Sequence, residues 1–208
     1  MVEKNCSLPF SFYCLTEDKS QKWRYPLDLD LDLESYWWKM QLFNLPWENP
    51  TLYFDLDIVI QNNIDSLLQR IEKNKILTIN PDLAGINRLQ DAMFLPFEAK
   101  INSSVLGIHP VTVSLVYERF IAAKDYNIVK YYGLDRYISD NHLSLCKYLE
   151  FDNDFYFRWK SDKTPSMYCK DTMVDGKLFY LAHDPRKTIC IISQEHNDMY
   201  QGLEKYFL

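Results

Sequence analysis

Glycine is scarce in this chain, five in 208 residues. That leaves little for a glycine-rich loop whose backbone amides cradle phosphate, so a phosphoryl or nucleotidyl transferase built on such a loop ranks last among the readings below. The five cysteines, Cys6, Cys14, Cys146, Cys169 and Cys190, show no CxxC spacing. An odd, unpatterned set points to reduced thiols in a cytoplasmic setting. No apolar run approaches the roughly 18 residues a membrane span needs. The opening MVEKNCSLPF also lacks the apolar centre of a signal peptide. Positive charge is in deficit, 23 Lys and Arg against 29 Asp and Glu, and no basic stripe is present, which argues against a nucleic-acid partner.

What remains is ordinary for a globular protein, with 47% apolar and 25% charged residues. The length suits a single domain over residues 1–208. The aromatic share is 15%, and core packing is its default use.

The informative stretch is Thr51 to Ile60, TLYFDLDIVI, apolar nearly throughout, as a strand buried on both faces of a parallel sheet would be. Asp55 and Asp57 interrupt it. At i and i+2 of a strand both carboxylates face one way, with Leu56 turned away. Two like charges inside an apolar strand need a cation, and all-oxygen ligands suit Mg²⁺ or Mn²⁺. A loop-capping Asp beside a salt-bridged one is the other reading of the pair.

Around this stretch the pattern reads strand, helix, strand. Leu8 to Leu15 reads as a strand followed by Thr16-Glu17-Asp18, which puts Asp18 at the strand's carboxyl end, where open α/β sheets bind ligands. PLDLDLDLE alternates, and Asp28, Asp30 and Asp32 are expected on a solvated face without metal. Ser35 to Phe43 is expected to be helical, with Lys39 among its aromatics; Asn63 to Glu72, Pro110 to Ala123 and Ser139 to Leu149 likewise. Strands are expected at Lys75 to Asn80, Ile101 to Ile108 and Lys187 to Ser193. The order predicts an α/β fold with a mostly parallel, Rossmann-like sheet flanked by helices.

The pieces FYCLTED, WWKMQLF, LYFDLDIVIQNNIDSLL, INSSVLGIHP and YISDNHLSL, in that order, resemble the nucleotide-sugar-dependent glycosyltransferases of the GT-A fold. The nearest resemblance is to a bacterial and phage group related to glycosyltransferase family eight. It covers about Phe10 to Leu149. It implies that Asp55 and Asp57 hold Mn²⁺ or Mg²⁺ against the donor diphosphate, with Asp55 also near the nucleotide. It implies that Asp18 lies near the base, that Lys39 stands on the helix before the motif strand, and that Asn102 and Ser103 line the donor-sugar pocket. Asp140 and Asn141 match the family's Asp-Gln pair near sugar and acceptor. The family completes its metal site with a His after the last strand; here Ser193 falls at that position, and His196 follows it as the alternative ligand. The implied partners are a UDP-sugar donor and a carbohydrate or glycoconjugate acceptor.

The family's first strand-helix unit has no counterpart before Phe10. An edge left open in this way would be covered by PLDLDLDLE, by a second copy in a homodimer, or by a partner's strand. The first is the expected solution. The alternative function is a non-catalytic GT-A domain that binds a ligand or partner without turnover.

Overall fold

The computed structural model describes residues 1–16, 20, 24–26, 33, 35–80, 99–150, 154–158, 160–161, 173–174, 177–179 and 186–192. The short helix α1 (Val2–Asn5) precedes the parallel pair β1 (Cys14–Thr16) and β2 (Arg24–Pro26). A 3₁₀ helix spans Ser35–Phe43. Its three-residue turn stacks Trp37, Met40 and Phe43 in one buried row. The chain then forms β3 (Thr51–Phe54), β4 (Ile58–Ile60), α2 (Asp65–Gln69), β5 (Ile76–Ile79) and β6 (Asn102–Ile108). Three helices follow, α3 (Pro110–Ile121), α4 (Lys124–Tyr131) and α5 (Leu134–Asn141). The remaining strands are β7 (Cys146–Tyr148), β8 (Phe155–Arg158), β9 (Lys160–Ser161), β10 (Met173–Val174), β11 (Lys177–Phe179) and β12 (Ile189–Ile192).

The main sheet runs β3-β6-β5-β7. The α/β class is as expected, but the sheet is mixed: β6 runs opposite to β3, β5 and β7, and β5–β7 is the parallel pairing within this sheet. A second sheet, β4-β12-β8, lies apart from it, and β10-β11-β9 form a third.

Alternation along the main sheet splits the core in two. Ile76, Leu106 and Ile108 face a cluster with Trp37, Phe43, Val116, Phe120, Tyr137 and Ile138 from the helices. Leu77, Ile79 and Val105 face the other way, onto Leu67, Ile71 and the second sheet's Ile58, Ile60, Phe155, Ile189 and Ile191. Gly107 lies on this second face. A Cβ there would stand 2.7 Å from Leu77 Cβ and 2.9 Å from Ile71 Cγ1, so glycine is what lets the segment after α2 close onto the sheet. Arg70 ties the layers together, donating to Asp154 Oδ2 at 2.5 Å and to the Tyr148 carbonyl at 3.1 Å.

Four expected elements differ. The strand expected over Leu8 to Leu15 begins only at Cys14, and the helix expected over Asn63 to Glu72 is confined to Asp65–Gln69. The stretch 51–60 is not one strand: the Ile58 amide donates to the Asp55 carbonyl, closing a turn that carries the chain from the main sheet into the second. The expected helix Ser139 to Leu149 starts five residues earlier, at Leu134, and ends at Asn141; a 3₁₀ turn and β7 occupy the rest. Parallel pairing of Cys146 with Ile76 claims as strand what the apolar spacing offered to a helix. The Asp28, Asp30 and Asp32 run, with the question of what it covers, lies outside the described residues.

His142, just past α5, is buried against Tyr137, 3.4 Å from its hydroxyl. Burial, then the nearby Arg119 charge, lower its pKa from 6.5 to about 4. The unfolded chain therefore takes up this proton first as pH falls, so stability drops between pH 6.5 and about 4. In His142→Gln this part of the acid sensitivity should vanish, which urea titrations at pH 7 and pH 5 would register as a smaller loss of midpoint than in the parent.

Candidate active site at the end of β3

Tyr53 and Asp55 stand two apart where β3 ends, so their side chains share a face. The Tyr53 hydroxyl donates to Asp55 Oδ1 at 2.6 Å. Lys39, brought in by the 3₁₀ helix, places Nζ 2.6 Å from Asp55 Oδ2 and 5.7 Å from the centre of the Tyr53 ring. The same ammonium reaches Ser103 Oγ at 3.4 Å, on the first part of β6. The buried Ser103 in turn donates its backbone amide to Asp135 Oδ1 at 3.1 Å. Asp135 lies in the first turn of α5, where the helix dipole favours an anion. Four elements thus converge on one end of the β3–β6 ladder.

The turn exposes Leu56 almost completely, 99%, and sends Asp57 back inward. Asp57 Oδ1 is buried and accepts no hydrogen bond among the described residues. Burial raises the Asp57 pKa first, and the neighbouring Asp55 charge adds to it, while its own backbone amide and then Lys39 oppose both. Asp135 is likewise raised, by burial first, with the Ser103 bond and Lys39 pulling it down and Asp55 pushing it up. Burial and the Asp55 carboxylate hold the Tyr53 phenol protonated far above its usual range. The cluster therefore holds three carboxylates and one ammonium in a single electrostatic unit.

The residues fit a divalent cation in one respect, the orphaned Asp57 oxygen beside Asp55. A carboxylate oxygen that already accepts one hydrogen bond retains a further lone pair, so Asp55 stays able to ligate. No group of three or more His, Cys, Asp or Glu suited to a metal occurs among the described residues. Asp18, Ser193 and His196 lie outside those residues.

The other expected residues sit differently. Asn102 begins β6, but its side-chain oxygen accepts from the Ser104 amide at 2.9 Å and shapes its own strand. Asp140 is exposed at the far end of α5, where it accepts from the Tyr131 hydroxyl at 2.5 Å and from Lys130 at 3.1 Å. Asn141 donates to the Tyr137 carbonyl one turn back. Asp135, five residues before Asp140, is the α5 carboxylate that reaches Ser103. Ser139, expected as the first residue of a helix, lies inside α5, where its hydroxyl donates to the Asp135 carbonyl at 2.6 Å and accepts from the Lys100 amide at 2.8 Å. Tyr53 and Asp135 were not singled out from the sequence. The i, i+2 spacing to Asp55 was the available signal for Tyr53. For Asp135 it was Gly133 followed by apolar residues at 134, 137 and 138.

No protein-family model matches the sequence, and no curated protein matches it. Among solved structures the chain is similar to the galactosyltransferase LgtC, determined in complex with donor and acceptor sugar analogues. The match has a TM-score of 0.50 and 14% identity, and covers 88% of this chain and 68% of that one. At this identity the likeness shows the fold, a GT-A-like α/β arrangement with a mixed sheet flanked by helices. Among the described residues no helix is long and apolar enough to cross a membrane.

Proposed function

We propose that this chain is a metal-dependent glycosyltransferase that moves a sugar from a nucleotide-sugar donor, UDP-linked, to a hydroxyl of a carbohydrate or glycoconjugate acceptor. The observation that carries this reading is the buried, unpartnered Asp57 oxygen beside Asp55, at the sheet end where Lys39, Ser103 and Asp135 converge. The GT-A-like fold supports it.

Asp55 and Asp57 are the residues that would hold Mn²⁺ or Mg²⁺, which when bound supplies positive charge for the departing nucleoside diphosphate. Lys39 adds a fixed cation to the same end of the site. Asp55 and the Tyr53 ring restrain its ammonium, so little side-chain freedom is left to lose when an anionic donor arrives. Asp135, anchored on the Ser103 amide, offers a carboxylate to orient a hydroxyl of the donor sugar or acceptor.

A second reading, binding without turnover, draws on the engagement of both Asp55 oxygens by Lys39 and Tyr53. A thermal-shift panel of nucleoside diphosphates with and without Mn²⁺ tests the pair. Saturation at about 100 times Kd is worth about 2.7 kcal/mol. At roughly 2–4 °C per kcal/mol for this size, UDP with Mn²⁺ should raise Tm by about 5–10 °C. No metal-dependent shift by any nucleotide sinks both readings. A shift without release of UDP from UDP-sugars, even as slow hydrolysis, leaves the second.

A further inference from the structure

A cavity of about 220 Å³ opens at the other end of the β3–β6 ladder from Asp55, between the Phe43 to Trp47 segment that ends the 3₁₀ helix and the Pro110 to Glu118 part of α3. Thr51 pairs with Ile108 at that end, so the length of β3, about 13 Å at its usual rise, separates it from the aspartates. Its volume is below the roughly 300 Å³ at which sites for drug-sized ligands begin, so it suits one small ring rather than a nucleotide.

The walls combine two kinds of surface. Phe43 is buried, and Trp47 is half-buried with its indole N–H already donating to the Leu42 carbonyl at 2.8 Å. That bond and the Tyr13 ring, 6.4 Å away between centroids, fix the indole and leave it an apolar role in the cavity. Around it, the side chains of Asn44, Ser114, Tyr117 and Glu118 make no hydrogen bond or ion pair among the described residues. Rigid aromatic surface beside several uncommitted donors and acceptors is the chemistry that recognises a polyhydroxylated ring, one face C–H and the edge O–H. The described lining residues include no Lys, Arg or His and do include Glu118, so phosphates and other anions are disfavoured. A quaternary ammonium would suit the rings and the carboxylate but would leave the amide and both hydroxyls unused.

We propose that this cavity is a second carbohydrate site, binding one neutral sugar ring independently of the Asp55 cluster. The binding goes beyond the function proposed above and does not require turnover. In saturation-transfer NMR with millimolar D-glucose, D-galactose and N-acetylglucosamine, at least one sugar should receive magnetisation from the protein. Ser114→Trp, on an exposed helix face, should reduce that signal at least tenfold by filling the cavity without touching the core. Trp47→Ala should weaken it as well, and Asp57→Asn or added UDP with Mn²⁺ should leave it unchanged. Failure of all three sugars to bind overturns the proposal. So does a signal that survives Ser114→Trp, one displaced by UDP with Mn²⁺, or binding of choline in place of every sugar. The UDP and Asp57→Asn arms keep this result separate from that of the nucleotide panel.

Discussion

Asp57→Asn should make the cation-free protein more stable at neutral pH and, in the same step, remove the stabilisation by UDP with Mn²⁺. The two effects share one cause. In the fold the Asp57 carboxylate is partly stripped of water, with Asp55 beside it and one oxygen unpartnered. Its pKa is raised, so folding favours the protonated form, and the cost of keeping it ionised is felt above the folded pKa. For this residue stability is therefore gained as pH falls through the folded pKa and is complete below the unfolded value of 3.8, opposite in sign to His142. An amide removes the charge and keeps the shape. Relief of about 1–2 kcal/mol, the scale of one unsatisfied buried group, corresponds to about 2–8 °C in Tm. Calorimetry of parent and variant at pH 7, each with and without Mn²⁺ and UDP, reads both effects. A variant less stable than the parent when cation-free, yet still stabilised by Mn²⁺ with UDP, would show that Asp57 is a structural acceptor and no ligand.

The second large effect separates two aspartates on one helix. Asp135→Asn should lower turnover of the nucleotide sugar by about 10²-fold, the scale of one positioned polar group at a reacting centre, while UDP affinity changes little. Asp140→Asn should stay within about threefold of the parent, because its partners are Tyr131 and Lys130 on α4 and its pair is exposed. The resemblance to the family sets Asp140 beside the sugar, whereas the structure brings Asp135 to Ser103 and, through it, into the field of Lys39 and Asp55. Initial rates of UDP release from a UDP-sugar panel, with UDP affinity measured alongside, decide between them. The reverse ranking would return the role to Asp140.

The difference between these two residues marks how far the sequence could be read. Strands β5 and β6 and helix α3 fall within about two residues of their expected ends, because unbroken apolar runs and a proline in the first turn are local signals. The start of α5 is also local, yet Ser139-Asp140 mimics a capping pair and the leucines that follow extend the apolar spacing. Only pairing with β5 makes residues 146–148 a strand, and that contact spans some 70 positions. The turn at Asp55 is concealed for a related reason. Asp-Leu-Asp in an apolar run has the alternation of a strand, and the break becomes visible only when Ile58 to Ile60 pair with β12 instead of continuing along β6. The Lys39–Asp55 pair lies 16 residues apart with no periodicity to join them. Resemblance placed Lys39 near the site; it did not reveal that Asp55 would hold it.

The crossing at Asp55 to Ile58 also bears on how the molecule opens. It joins two layers with separate apolar interiors, one under the helices and one under β4, β12 and β8. Such layers need not come apart together: amide exchange in folded proteins proceeds through cooperative units smaller than the whole. If the smaller layer is such a unit, its release pulls directly on the span that carries both aspartates. A ligand seated on that span is then spent partly on keeping the layers shut. Its affinity contains a mechanical share, set by Arg70 and Asp154 and the packing around Gly107, at residues that never touch it.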